Sequence, residues 1–174
     1  MPDSHDFESV DLFTVGAVGE PGRRTFLIQA VSGASRVTVK CEKQQVAALS
    51  EYLQGVLADL PAVASETPVL LDLVPPTEPE WVAGTLSVAY DDVSDRIVIL
   101  VEEIGDVADE EDEALLDEEE RSSLRVRLTR PQVTALVDHT IALVEAGRPP
   151  CEICGHPKGP DHACPRTNGH GPPR

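Results

Sequence analysis

Three of the four cysteines and three of the five histidines of this chain fall in one short stretch near its C-terminal end, "CEICGHPKGPDHACPRTNGH" at 151–170. Cys151 and Cys154 form a Cys-x-x-Cys followed by Gly155. That is the form of a zinc knuckle: the turn brings two thiolates onto one ion, and glycine permits the backbone to bend around the sulfurs. Zinc takes four soft or borderline ligands in a tetrahedron, and three cysteines with one histidine supply them. The metal set read from the spacing is therefore Cys151, Cys154 and Cys164, with His170 and His162 competing for the fourth place. His170 is preferred because Thr167 occupies the position where a second knuckle would carry a cysteine, whereas His162 reaches the ion only from an extended segment. His156, adjacent to the first knuckle, is disfavoured on geometry. A redox Cys-x-x-Cys is the rival reading, but that motif opens a helix after a strand, and here Pro149 and Pro150 precede it. Four protein ligands would close the site, so zinc would be structural. Glu152 and Asp161 lie nearby without forming a hydrolase motif.

Elsewhere the chemistry is sparse. Cys41 alternates with Val37 and Val39 and reads as a buried core thiol. His139 stands beside Asp138, off the main apolar stripe of its helix, and reads as a solvated histidine. Arg23 and Arg24 follow a Pro-Gly turn and form a weak candidate anion site, since arginine grips carboxylate or phosphate bidentately. Lys40, Lys43, Arg125, Arg127 and Arg130 extend this into a candidate basic patch, for which strand-surface solvation and pairing with the acidic insert is the simpler reading. No P-loop, G-x-G-x-x-G, G-x-S-x-G or H-E-x-x-H occurs, so no catalytic residue is assigned.

The elements that must position these residues belong to a chain of 174 residues, room for one domain and a small appendage. Its apolar fraction of 41% suffices for a core, built from Val, Leu, Ile and Ala because aromatics are only 3%. A net charge of −17 argues against nucleic acid and against an anionic membrane surface as partners. The acidic, polar start "MPDSHDFESV" carries no signal-peptide pattern, and no stretch has the length of a membrane span. A cytoplasmic protein is expected, in which structural disulfides would be rare.

Strands are expected at 12–19, 25–31, 36–41, 81–91, 96–103 and 123–129. A helix at about 43–57 carries Val46, Leu49, Leu53, Val56 and Leu57 on one stripe. A second begins at Pro131 behind a Thr129 cap, carries Val133, Leu136, Val137, Ile141 and Val144, and ends at Gly147. "VTVKCEKQQVAAL" (37–49) lies over "LRVRLTRPQVTAL" (124–136) at a constant offset, and upstream Arg24 can be paired with Arg96 and Gly16 with Gly84. A β-β-β-α unit used twice is inferred, with units at about 10–60 and 81–147. The α+β product would be an antiparallel sheet with two helices on one face, followed by a zinc-binding tail at 148–174. Two segments interrupt the scheme. One is the proline-rich joiner at 61–80, whose "VLLDLV" (69–74) should pack somewhere; the other is an acidic insert at 106–121, expected to be solvated.

Taken together, "GEPGRRTFLIQA", "EKQQVAAL", "LRVRLTRPQVTAL", "AGRPPCEICG" and "HACPRTNGH" resemble an uncharacterised, mainly actinobacterial family, the domain of unknown function 3090. The tail motif is the most specific part of the resemblance, and the acidic insert the least. The resemblance implies no activity. It does imply a pathway or complex shared with a kinase-like protein and a histidine-phosphatase-like protein. The expected function is a zinc-binding interaction or regulatory module, with an enzyme acting on a phosphorylated or anionic small molecule as the alternative.

Overall fold

Alternating apolar residues build the strands and 3.6-residue stripes build the helices. The computed structural model describes residues 3–63, 71–105, 121–147, 151–155 and 164. The order is β1 (Ser4–Phe7), β2 (Leu12–Val18), β3 (Thr25–Ser32), β4 (Ser35–Cys41), α1 (Lys43–Ala58), β5 (Trp81–Asp91), β6 (Arg96–Glu103), β7 (Ser123–Leu128) and α2 (Arg130–Glu145). Both helices start on a glutamine that folds back. Gln45 Oε1 accepts from the Glu42 backbone N–H at 2.8 Å, and Gln132 Oε1 accepts from that of Thr129 at 2.8 Å. Thr129 returns the bond through its hydroxyl, satisfying donors that a helix start leaves open. Among the described residues no helix is long and apolar enough to cross a membrane.

The seven strands form one mixed sheet in the order β1-β7-β6-β5-β4-β3-β2. This corrects the antiparallel expectation at two places. The β2-β3-β4 and β5-β6-β7 meanders are antiparallel, but β4 meets β5 in parallel, Val39 opposite Trp81, and β1 meets β7 in parallel, Phe7 opposite Val126. The physical reason is the crossover: α1 and the joiner carry the chain back to the starting end of β4, so β5 must run beside it in the same direction. β1, outside the six expected strands, is a seventh. It is linked to β2 by residues 8–11 alone, a span of roughly 17 Å at full extension, whereas a flat sheet would hold its two edge strands about 29 Å apart. The sheet therefore curls.

The curl encloses one core. Val46, Leu49 and Leu53 of α1 and Val133, Leu136 and Val137 of α2 are buried with the inward residues Val15, Ile28, Val39, Ile97, Ile99 and Val126. The other face of β2–β4 carries buried polar residues, because the joiner covers it. The Gln29 amide donates to the Val74 carbonyl at 2.9 Å and accepts from the Val74 N–H at 2.8 Å, and the Thr14 hydroxyl donates to the Leu71 carbonyl. Leu73 lies over Gly16, where a Cβ would collide with it. Leu71 and Leu73 of the apolar joiner stretch thus pack half-buried, while the Val74 side chain is exposed; 69 and 70 lie outside the described residues, as do 106–120 of the acidic insert.

The two antiparallel meanders can be laid over each other strand for strand. Phe26 pairs with Cys41 and Ile97 with Leu128, while Val18 pairs with Thr25 and Asp91 with Arg96. In that overlay Arg24 falls on Asp95 and Gly16 on Ala89, whereas the sequence overlay sets Arg24 against Arg96 and Gly16 against Gly84. Further contacts follow the same correspondence. Gln45 Nε2 donates to the Ala83 and Gly84 carbonyls, and Gln132 Nε2 to the Val10 carbonyl. Each helix thus reaches the strand region that opens the other half.

Candidate metal centre

After α2 the chain passes Pro149 and Pro150 and turns at residues 151–155. The turn is closed by the Gly155 N–H donating to the Cys151 carbonyl at 2.8 Å, and Gly155 sits at φ +76°, where a side chain would be strained. This brings Cys154 back beside Cys151. Cys164 joins them, and the three Sγ atoms all lie within 4.8 Å of one another. Cys151 is buried, and Cys154 and Cys164 are half-buried. No disulfide joins any of the four cysteines. Three soft donors at this spacing could hold a metal ion. The sequence-derived thiolate set is thus brought together, whereas His162 and His170 lie outside the described residues.

The family model described as "Protein of unknown function (DUF3090)" matches residues 5–164, nearly the whole chain, and its match ends on the third of these cysteines. The chain belongs to this family. No curated protein and no solved structure matches it.

The other candidate residues of this DUF3090 chain separate. Cys41 is 3% exposed, and its thiol is pushed up to about 12 by burial and then by the Glu42 carboxylate. It is a neutral core thiol, as read from the alternation. His139 is not a solvated residue. It is half-buried, with Nε2 2.8 Å from the Val15 carbonyl, so it fastens α2 to β2. The candidate basic patch divides between two corners of the fold. Arg127 pairs with Asp6 at 2.6 Å and Glu8 at 3.1 Å, Arg125 faces Asp6 at 3.7 Å, and Arg130 pairs with Asp95 at 2.8 Å. Arg130 first and then the Tyr90 hydroxyl hold the Asp95 carboxyl below its ordinary range by hydrogen bonding. Lys40 and Lys43 lie instead with Arg24 around a cavity of about 690 Å³, lined also by Phe26, Leu143 and Val144. Arg23 is exposed and does not line it. Arg24 thus stands with the two lysines and apart from Arg23, its neighbour in the expected anion site.

Proposed function

We propose that this is a cytoplasmic zinc-binding interaction or regulatory module, in which a metal clips the C-terminal tail into a docking element beside a duplicated β-β-β-α domain. The observation that carries the reading is the convergence of Cys151, Cys154 and Cys164. A tetrahedral ion with metal–sulfur bonds of about 2.3 Å would hold its sulfurs about 3.8 Å apart, which lies within the 4.8 Å that bounds the three Sγ atoms. The donor set of soft sulfurs favours zinc over the hard cations. A histidine, His162 or His170, completes it. His162 gains weight from lying inside the family match, which ends before His170. Such a site would fold a segment too small for a core of its own.

Duplication is supported by the ladder correspondence and by the reciprocal reach of Gln45 and Gln132. The docking role is supported by Ile153, 44% exposed at the tip of the knuckle turn, and by Tyr52, 59% exposed on α1. The partner is a protein of the kinase-like or phosphatase-like kind that the family resemblance implies. Cytoplasmic location accords with thiols kept reduced.

The deciding experiment is elemental mass spectrometry of protein purified without chelator or affinity-tag histidines, alongside Cys164→Ser. About one zinc per chain, lost in the variant together with thermal stability, is the expected outcome. Metal-free native protein would sink the reading and turn attention to thiol reactivity.

A further inference from the structure

The two corners where one half's β-α junction meets the other half's helix end are built alike and charged differently. In one, Arg130 at the start of α2 donates to the Pro61 carbonyl beyond α1 and pairs with Asp95. In the other, Lys43 at the start of α1 lies beside Gly147 beyond α2, its Nζ 3.5 Å from where a Cβ of Gly147 would stand. The position of Asp95 is taken there by Arg24, whose Nη1 donates to the Ala146 carbonyl at 3.0 Å. Capping the end of the opposite helix is common to both corners, so it does not account for the difference. What differs is that a carboxylate has become a guanidinium, and that the cavity of about 690 Å³ opens at this corner, within the roughly 300–1,000 Å³ of small-ligand sites. Lys40 lines it as well, while its counterpart Arg127 is paired with Asp6 and Glu8. Glu42 and Glu145 also line it, but neither lies within ion-pair distance of the three cations. Among the described residues none of Arg24, Lys40 and Lys43 has a carboxylate partner, in a chain of net charge −17 that is rich in them.

We propose that the corner formed by Arg24, Lys40 and Lys43 binds a phosphorylated small molecule, its phosphate standing where the other corner has the Asp95 carboxylate. A phosphomonoester carries close to two negative charges and three acceptor oxygens, which a guanidinium fork and two ammonium groups satisfy better than they would a single carboxylate. Phe26, Leu143 and Val144 give the rest of the ligand an apolar wall. Cys41 also lines the cavity, its thiol kept neutral by burial, and the proposal concerns binding alone. This inference is independent of the metal reading.

The test is calorimetric titration and thermal unfolding of the full, zinc-supplied chain at low salt, with ribose 5-phosphate as probe and ribose and succinate as controls. Ribose 5-phosphate should bind with a dissociation constant of roughly 1 mM or tighter and raise the unfolding temperature, while ribose and succinate should not. Arg24→Asp should rebuild the Arg130–Asp95 type of pair with Lys43. That variant should unfold no earlier than the native chain and yet bind at least about tenfold more weakly. Lys40→Ala combined with Lys43→Ala should show the same loss, and Arg125→Ala, a charge removed from the outer face of β7, should not. No binding of ribose 5-phosphate, an equal response to ribose or succinate, or undiminished binding by Arg24→Asp would each overturn the proposal.

Discussion

Cys41 and Cys164 are the same side chain given opposite prospects by their neighbours. Cys41 is packed against the core, and burial first and the Glu42 carboxylate second hold its proton to about 12. Its titration in the unfolded chain lies near 9.0. The folded state therefore retains a proton that the unfolded state releases. Stability from this group is complete below the unfolded value and falls as pH rises towards the folded one. A shift of this size corresponds to at most about 4 kcal/mol. The unfolding free energy of the native chain should decline more steeply between those values than that of Cys41→Ala, followed by denaturant titration across the alkaline range. Parallel decline in the two proteins would show that the thiol is ionised in the fold. At this scale much could be read directly: the alternation with Val37 and Val39 marks Cys41 as core, and Cys-x-x-Cys-Gly marks a turn. His139 could not be read so, because its partner is the Val15 carbonyl, a backbone atom brought near only by tertiary packing.

Among the elements, the joiner is held by an arrangement that looks wrong for a strand. Gln29 is fully buried in the middle of β3, and its amide grips both backbone groups of Val74. Gln29→Ala would remove that pair and leave the Val74 N–H and C=O without partners, costing roughly 2–4 kcal/mol. The Val74 amide should then exchange hydrogen much faster in the variant than in the native chain. Unchanged exchange would mean that Leu73 over Gly16 alone holds the segment. The strands themselves were mostly visible as alternation, with bounds within a residue or so of those observed. β1 was not, since Ser4–Phe7 alternates between exposed and half-buried positions and is made a strand by the open edge of β7. The parallel meeting of β4 with β5 was also hidden, because periodicity identifies strands and not their neighbours.

For the whole molecule, the excess of 17 negative charges matters more than the ion pairs. The pairs found among the described residues gather on Arg125, Arg127 and Arg130, with partners 47–82% exposed, so salt weakens little by screening them. Self-repulsion of the remaining acid groups is screened at the same time. Raising sodium chloride from about 0.02 to about 0.3 M should therefore raise the unfolding temperature. A fall would show that the pairs dominate.

The pairing of β1 with β7 also sets an order of assembly during synthesis. Ser4 meets Ser123, a partner 119 positions further along the chain. The β2-β3-β4 meander and α1 can gather as soon as they leave the ribosome, but the first strand made must wait for almost the last. Its polar face and small size suit a segment that stays exposed meanwhile, since a longer apolar strand left open for that time would invite pairing with another chain.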